Sequence, residues 1–372
     1  MKQLELYSEE KIYAHIDKHG DSLAELDSIM DWGPFVAIID EVRPDKTQEG
    51  KGGRPPVESS VMLKGLLIGE LYHLSDGQIE YQINDRASFK RFCGLMLTEA
   101  APDEKSFWAL REKLKETGMY EKMFETLLEM LSMAGLQYSK CAIVDSVFND
   151  APRRRNLRKE QTEALKAHRE TGAELPFEID KEQVYAVESA LPEEDRTLSH
   201  RLRQTDLEAT WTKKGNETHF GYKDHVVVDA ESKIIVGHIV TTASVHDSQE
   251  LVDVVPEGTE EVYDDSAYTG ADIDAELREK CPNVEHFTAK KGQKNKPLTE
   301  EQKAYNRDIV SRVRARAEHV FGRMTYCMGG IFVRGIGIER AKCKITLRDF
   351  AYNISRYATL VRMGKAAVLK RA

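Results

Sequence analysis

Three acidic residues occupy positions where a carboxylate could support metal-ion chemistry. Asp145 lies within the apolar segment CAIVDSVF, Asp265 follows the apolar end of EEVYD, and Glu318 lies in the basic segment SRVRARAEHVFGRM. A lone aspartate in an apolar strand is costly to bury unless it is paired or binds a metal ion. Carboxylates held close together bind Mg²⁺, and paired Mg²⁺ ions assist phosphodiester cleavage.

Each acid also has an ordinary structural explanation. Asp145 could lie on the open face of a half-exposed strand, and Asp265 could form a turn, which is the better explanation for its neighbour Asp264. Glu318 could form a surface ion pair with Arg314, four residues earlier, worth about 0.3–0.5 kcal/mol. No single acid decides the matter. Their placement on a strand, at a strand end and on a following helix is more specific and favours a metal-binding triad.

The elements that would position these acids form a mixed α+β pattern. We expect a mixed sheet of five strands flanked by helices, with the first three strands antiparallel and a hairpin at Ala230-Glu231. The predicted strands are CAIVDSVF, 219–229, 232–243, 260–264 and 283–289. A long helix should start at a capping box, Thr299 to Gln302, and a last helix should cover about 346–362. The core stripe predicted for the long helix is Tyr305, Ile309, Val313, Ala317 and Val320 or Phe321.

The region before the first strand is predicted to be helical. Residues 59–73 are apolar nearly all round, which indicates a buried helix, and Ser75 with Gln78 forms a capping box for the next one. We therefore predict a compact helical domain over 55–137. Short helices with tight turns permit a helix-turn-helix DNA reader, and a bundle for dimerisation is the alternative. Residues 1–54 should form short helices followed by a basic Gly/Lys/Pro linker.

Charge is unevenly distributed along the chain. The net charge is −9, which argues weakly against a nucleic-acid partner, yet residues 290–344 hold fourteen Lys/Arg against five Asp/Glu. Such a basic block is typical of phosphate contacts, although a solvated, salt-bridged helix face is the alternative. A charged insertion at about 151–215 is expected to be an exposed and partly disordered excursion. It falls within a predicted catalytic domain over 138–362, which a tail at 363–372 follows.

Composition excludes several classes of protein. No stretch approaches 18 uninterrupted apolar residues, so no membrane span is predicted, and the N-terminus lacks the apolar core of a signal peptide. The five cysteines are scattered without a CxxC pair, which disfavours a zinc site or a disulfide framework. We therefore expect a cytoplasmic, nucleoid-associated protein.

Several motifs together resemble the DDE transposases of bacterial insertion sequences, in particular the insertion-sequence-five group. The motifs AIVDSVFNDAP, THFGYKDHVVVD, YDDSAYTG and VSRVRARAEHVFGRM carry the resemblance, and RPPVESSVMLKGLLIGELYH resembles the helical domain of that group. The resemblance implies an RNase H-like fold and the catalytic, metal-binding triad Asp145, Asp265 and Glu318. It also implies Mg²⁺, with Mn²⁺ as a substitute, and double-stranded DNA partners: terminal inverted repeats and target DNA. A homodimer or higher homo-oligomer is expected on DNA.

The basic residues around the triad depart in part from the family pattern. Arg314 matches it, but Ser311 and Thr325 stand where the pattern has Tyr and Lys. Lys223, Arg316 or Arg323 could replace the missing phosphate contacts. The predicted DNA-binding residues are Arg314, Arg312, Arg316, Arg323, Lys223, Trp211 and Arg54.

The sequence thus predicts an enzyme that cuts and joins DNA at the ends of an insertion sequence. Two alternatives stay open. The first is an RNase H-like nuclease without strand transfer, which would need no end-recognition domain. The second is a catalytically inactive DNA-binding protein derived from a transposase, which the Ser311 and Thr325 departures leave open.

Overall fold

The computed structural model describes most of the chain outside the charged insertion. It covers residues 9–43, 56–136, 140–152, 208–292 and 296–370, with 138, 167, 171 and 206 as isolated positions. Arg54 and most of the predicted insertion at 151–215 lie outside the described residues.

The chain before the sheet is helical, as predicted. The helices are α1 (Glu9–Asp17), α2 (Ser22–Ile29), α3 (Gly33–Val42), α4 (Ser59–Leu71), α5 (Asp76–Asp85), α6 (Ala87–Cys93), α7 (Glu104–Thr117) and α8 (Met119–Met133). Helix α4 is buried on most of its surface, because apolar residues occupy nearly every position around it. The capping box at Ser75 and Gln78 starts α5.

The sheet contains the predicted strands and one more. Its strands are β1 (Cys141–Asp150), β2 (Thr210–Lys214), β3 (Glu217–Asp229), β4 (Ile235–Thr242), β5 (Glu261–Asp264) and β6 (Glu285–Thr288). Strands β1, β3 and β4 form the predicted antiparallel meander, and β5 and β6 continue parallel to β1. The resulting order β4-β3-β1-β5-β6, with helices on both faces, is the RNase H-like arrangement.

Strand β2 was not predicted, and it pairs with the first part of β3. β3 is long enough to pair with β4 along one half and with β2 along the other. Gly221 separates the two halves with φ 158°, and a Cβ there would come within 2.1 Å of the Asn149 carbonyl oxygen. Only glycine fits this close approach of β3 to β1.

The C-terminal part contains the helices that face the sheet. After α9 (Leu251–Val254) and α10 (Ala271–Lys280), helix α11 (Glu300–Tyr305) starts at the predicted capping box. A π-helical segment (Asn306–Ser311) then leads into α12 (Arg312–Tyr326), and α13 (Ile338–Arg362) is the last helix.

The π-helical segment overturns part of the predicted core stripe. Ile309 was expected in the core but is 41% exposed, whereas its neighbour Val310 is fully buried. A π-turn contains more residues than an α-turn, so it shifts which side chains point inward. Ala317 and Val320, after the segment, are buried as predicted.

One hydrophobic core joins the N-terminal helices to the sheet. The same cluster contains Leu23 of α2, Leu66 of α4, Ile143 of β1, Ala317 of α12 and Phe350 of α13. The helical region is therefore packed against the sheet through α13, and the domain boundaries stay predictions. No helix within the described residues is both long and apolar enough to span a membrane.

Candidate catalytic site

Asp145 and Asp265 lie next to each other on one face of the sheet. Ile143 of β1 pairs in register with Tyr263 of β5, and both belong to the core beneath α12 and α13. Side chains alternate along a strand, so Asp145 and Asp265, two residues further on, face the same side. Asp265 keeps an extended backbone, which continues the alternation past the strand end. Neighbouring strands are about 4.8 Å apart, so the two carboxylates are close together.

Asp264 points to the opposite face and is already engaged. It is fully buried, and its Oδ2 is 2.5 Å from Nε2 of His286. Burial raises the pKa of Asp264, although the hydrogen bond from His286 opposes this. The alternation along β5 therefore separates a buried Asp264 with a partner from Asp265 on the open face.

Arg314 links helix α12 to Asp145. Its Nη2 donates to Asp145 Oδ2 over 3.0 Å, and the Ser146 amide donates to Asp145 Oδ1 over 2.8 Å. Burial raises the pKa of Asp145, and the charge of Arg314 opposes this. Within the described ranges, the buried Nε of Arg314 has no acceptor. The guanidinium thus has a donor left for a further oxygen ligand.

Glu318 lies one helical turn beyond Arg314 on the same face of α12. Residues four apart on a helix are neighbours, with Cβ atoms about 5–6 Å apart. Buried Ala317 and Val320 anchor this helix to the core, and α12 packs against β1 and β5. Glu318 is exposed. The helix therefore presents Glu318 near the face that carries Asp145 and Asp265.

Tyr268 lies in the core next to these acids. Burial raises the pKa of its hydroxyl well above the usual value, and the charges of Asp247, Asp145, Asp265 and Asp264 raise it further. A tyrosine after a strand end is ordinary in a core, so sequence reasoning did not single it out.

The predicted DNA-binding arginines differ in which protein groups they contact. Arg312 is exposed, whereas Arg316 donates to the Ala230 carbonyl over 2.7 Å and Arg323 donates to the Ser355 hydroxyl. These contacts leave further guanidinium donors available. The arginines other than Arg314 therefore surround α12 without converging on Asp145.

Lys223 and Trp211, which were also predicted to bind DNA, differ in how far they are buried. Lys223 is buried, donates to the Val245 carbonyl over 2.6 Å and forms an ion pair of 2.8 Å with Asp247. Trp211 on β2 is 46% exposed and packs at a tilt against Phe220. Lys223 is thus held by protein groups, and Trp211 presents part of its ring to solvent.

A second acidic cluster lies inside the fold. Ligand atoms of Asp224, His238 and Asp349 all lie within 4.8 Å of one another, so the group could bind a metal ion. Arg348 already donates to Asp224 over 2.8 Å and to Asp349 over 3.2 Å. Burial and the Asp224 charge raise the pKa of Asp349 to about 7. Sequence reasoning missed this cluster, because its members come from strands and a helix far apart in the chain.

The strand order β4-β3-β1-β5-β6, flanked by helices, is that of an RNase H-like protein. Two family models match the chain: Transposase domain (DUF772) over residues 10–113, and Transposase DDE domain over residues 194–354. The chain belongs to the DDE transposases.

One solved structure is also similar, the piggyBac transposase synaptic complex with hairpin DNA. It shares 10% sequence identity with this chain at a TM-score of 0.43. The alignment covers 94% of this chain and 77% of that one.

Proposed function

We propose that this protein cleaves and joins DNA at the ends of an insertion sequence of the insertion-sequence-five group, with Asp145, Asp265 and Glu318 as its catalytic carboxylates. One observation carries the proposal: Ile143 pairs with Tyr263 on the adjacent parallel strands β1 and β5, so Asp145 and Asp265, each two residues further on, are directed to the face covered by α12. The helix that carries Glu318 is tied to this face by Arg314.

The charge of the site fits a divalent cation. Arg314 is bonded to Asp145, and the candidate ligand atoms of Asp145, Asp265 and Glu318 are all oxygens, which Mg²⁺ and Mn²⁺ prefer. Bound ions of this kind would activate the attacking oxygen and stabilise the leaving oxygen. Asp145, Asp265 and Glu318 are the residues that would hold them.

The remaining residues orient the DNA. Arg314 fixes Asp145 through one amino group and has Nε left for a phosphate oxygen. Water would break a P–O bond at the element end and release a 3′-hydroxyl. That hydroxyl would attack a target phosphodiester in line, so a new P–O bond forms as one breaks. The partners proposed are terminal inverted repeats and target DNA, bound by a homodimer or higher homo-oligomer.

The test uses duplex DNA from the flanks of the protein's own gene, labelled at one strand. We expect the full chain to cut at the element end with Mg²⁺ or Mn²⁺ and to stop in EDTA. Asp145→Asn and Glu318→Gln should abolish cutting while DNA binding persists. Cutting in excess chelator would overturn the metal-dependent mechanism. A second assay for joining to plasmid DNA separates a transposase from a nuclease without strand transfer, and binding without any cutting would favour the inactive DNA-binding protein.

A further inference from the structure

A pocket with a volume of about 390 Å³ lies between the N-terminal helices and the C-terminal part of the chain. One wall is helix α7 with the start of α5, and the other is the segment 332–336 with the first turns of α13. The two walls meet closely beside it, because a Cβ on Gly329 would come within 2.3 Å of the His73 Cβ. None of the three proposed catalytic carboxylates lines the pocket. It is therefore a second concave site, large enough for a small ligand group.

Two aromatic side chains from opposite walls are open to this pocket. Trp108 of α7 is 55% exposed, and Phe332 is 37% exposed. The buried residues of α7 are Phe107, Leu110 and Leu114, so the core does not require the Trp108 ring. An aromatic ring with a free face can stack on another flat ring.

Basic side chains surround the two rings, and Arg334 differs from the others in its charge balance. The other four cations of the pocket each pair with an acid: Arg111 with Asp76, Lys115 and Arg340 with Glu112, and Lys344 with Glu70. Arg334 is exposed, and no carboxylate of the residues that the structure describes lies in ion-pair range of it. The planar guanidinium matches two oxygens of one phosphate. The pocket thus offers a stacking face and an uncompensated phosphate donor, which are the two groups that a nucleotide needs.

Strand β1 connects this pocket to the proposed catalytic site. The Val333 amide donates to the Asp150 carbonyl over 2.9 Å, and Phe332 forms a parallel bridge with Asp150. Asp150 is five residues beyond Asp145 on β1, which corresponds to about 17 Å along a strand. Successive phosphates of a DNA strand advance about 3.4 Å along the duplex axis, so this distance spans about five nucleotides. A strand with a phosphate at Asp145 is therefore long enough to reach the pocket, beyond the nucleotides that flank the cut.

We propose that this pocket binds one unstacked nucleotide of the DNA, with its base on Trp108 and its phosphate on Arg334. The site rests on the proposed function and lies away from the scissile phosphate. Every base has a flat π-face, so stacking on Trp108 tolerates any sequence. DNA is favoured over an acidic peptide, because a strand bound at Asp145 passes within reach of the pocket.

The experiment measures the affinity of the full chain for duplex DNA from the flanks of its own gene, in EDTA so that the DNA stays intact. Trp108→Ala should lower this affinity about 5- to 100-fold, the range for loss of one base–aromatic stack. Duplexes with a single abasic site, moved one position at a time, then locate the bound base. At one position the wild type should lose a similar factor and Trp108→Ala should lose nothing further, since the interaction is already absent.

Tyr81 provides the matched control. It is an aromatic residue of the same helical region, is 64% exposed and does not line the pocket. Tyr81→Ala should bind within about twofold of wild type, because surface substitutions that remove no contact have small effects. Circular dichroism and melting temperature would verify that each variant is folded.

Arg334→Ala tests the phosphate contact independently. It should flatten the slope of log affinity against log salt by about 0.9, and a neutral methylphosphonate at the located nucleotide should remove this difference from wild type. If Trp108→Ala binds intact DNA as wild type does, or if its loss is the same at every abasic position, the pocket does not bind a nucleotide. An acidic peptide is then the remaining occupant, while the proposed function stands. A wild type that does not cut these flanks in Mg²⁺ or Mn²⁺ would overturn the proposed function and this inference with it.

Discussion

The two acidic clusters of this protein differ in how their negative charge is balanced. Asp224 and Asp349 are fully buried, with the Arg348 guanidinium bonded to both and His238 beside them. Asp145 of β1, Asp265 after the end of β5 and Glu318 of α12 form the proposed catalytic group, called the edge cluster, in which Arg314 is bonded to Asp145 alone. The buried cluster is thus nearly neutral by itself, whereas the edge cluster has a net negative charge. A divalent cation and a phosphate would complete the edge cluster, while the buried one needs no ligand to be stable.

The largest effect should follow from removing a carboxylate from the edge cluster. We expect Asp265→Asn to lower the cleavage rate more than about 100-fold, because even outer-shell partners of metal sites typically contribute 10- to 100-fold. DNA affinity should change little, since no phosphate donor is lost. A gel-based cleavage assay and a binding titration on the same DNA measure both.

Asp264→Asn is the matched control, one residue away. Asp264 is bonded to His286 on the other face of the sheet, so its replacement should act on stability and leave the rate per folded molecule within about tenfold. An inactive Asp264→Asn beside an active Asp265→Asn would reverse the assignment of the two acids.

A substitution in the buried cluster should lower the stability of the protein instead of its cleavage rate. Arg348→Met removes the guanidinium that neutralises Asp224 and Asp349, and breaking a buried ion pair in this way costs about 3–5 kcal/mol. We expect a free energy of unfolding lower by that amount in urea denaturation.

A compensated variant sharpens this prediction. Adding Asp224→Asn and Asp349→Asn to Arg348→Met leaves no uncompensated charge, so much of the stability should return. If Arg348→Met is as stable as wild type, the buried cluster does not depend on its arginine and the contrast with the edge cluster fails.

A smaller effect should appear in the pH dependence of stability. Burial and Asp224 raise the pKa of Asp349 to about 7, well above the value of about 3.9 in an unfolded chain. The unfolded state therefore releases this proton first, and stability is lost as the pH rises from about 4 to 7. Asp349→Asn cannot titrate, so it should gain stability relative to wild type between pH 5 and pH 8. Urea denaturation at pH 5 and pH 8 measures the free energy of unfolding of both proteins. If the difference between wild type and Asp349→Asn is the same at both pH values, Asp349 is ionised throughout.

Local sequence signals predicted much of this structure. The capping boxes at Ser75 and Thr299 start helices as expected, and the β-branched runs form the strands. Alternation along a strand also accounts for the separation of Asp264 from Asp265. These features depend on residues within a few positions of each other, which is what a single sequence reveals.

Features that depend on long-range packing were not predictable. Arg348 and Asp224 are 124 residues apart in the chain, so their pairing follows from the fold and not from spacing. The exposure of Ile309 results from a π-helical segment, for which the apolar periodicity gave no sign. Gly221 is required because a Cβ there would come within 2.1 Å of the Asn149 carbonyl oxygen, a contact that exists only when β1 is in place.

The smallest effect concerns the positive charge around the edge cluster. Arg312 and Arg316 are four residues apart and share a face of α12 that differs from the face of Arg314 and Glu318. Each phosphate they neutralise should contribute about −0.9 to the slope of log affinity against log salt. The double replacement by Ala should therefore flatten the slope by up to about two units, with Arg316 contributing less, because it is bonded to Ala230.

Arg314→Ala is the contrasting variant. It removes the partner of Asp145 and a donor near the scissile phosphate, so it should lower the cleavage rate more than the affinity. The double variant should do the opposite, since its residues attract DNA from outside the carboxylate site. Titrations at several salt concentrations separate the two patterns. An Arg312/Arg316 variant with an unchanged salt slope would show that these arginines form a solvated helix face.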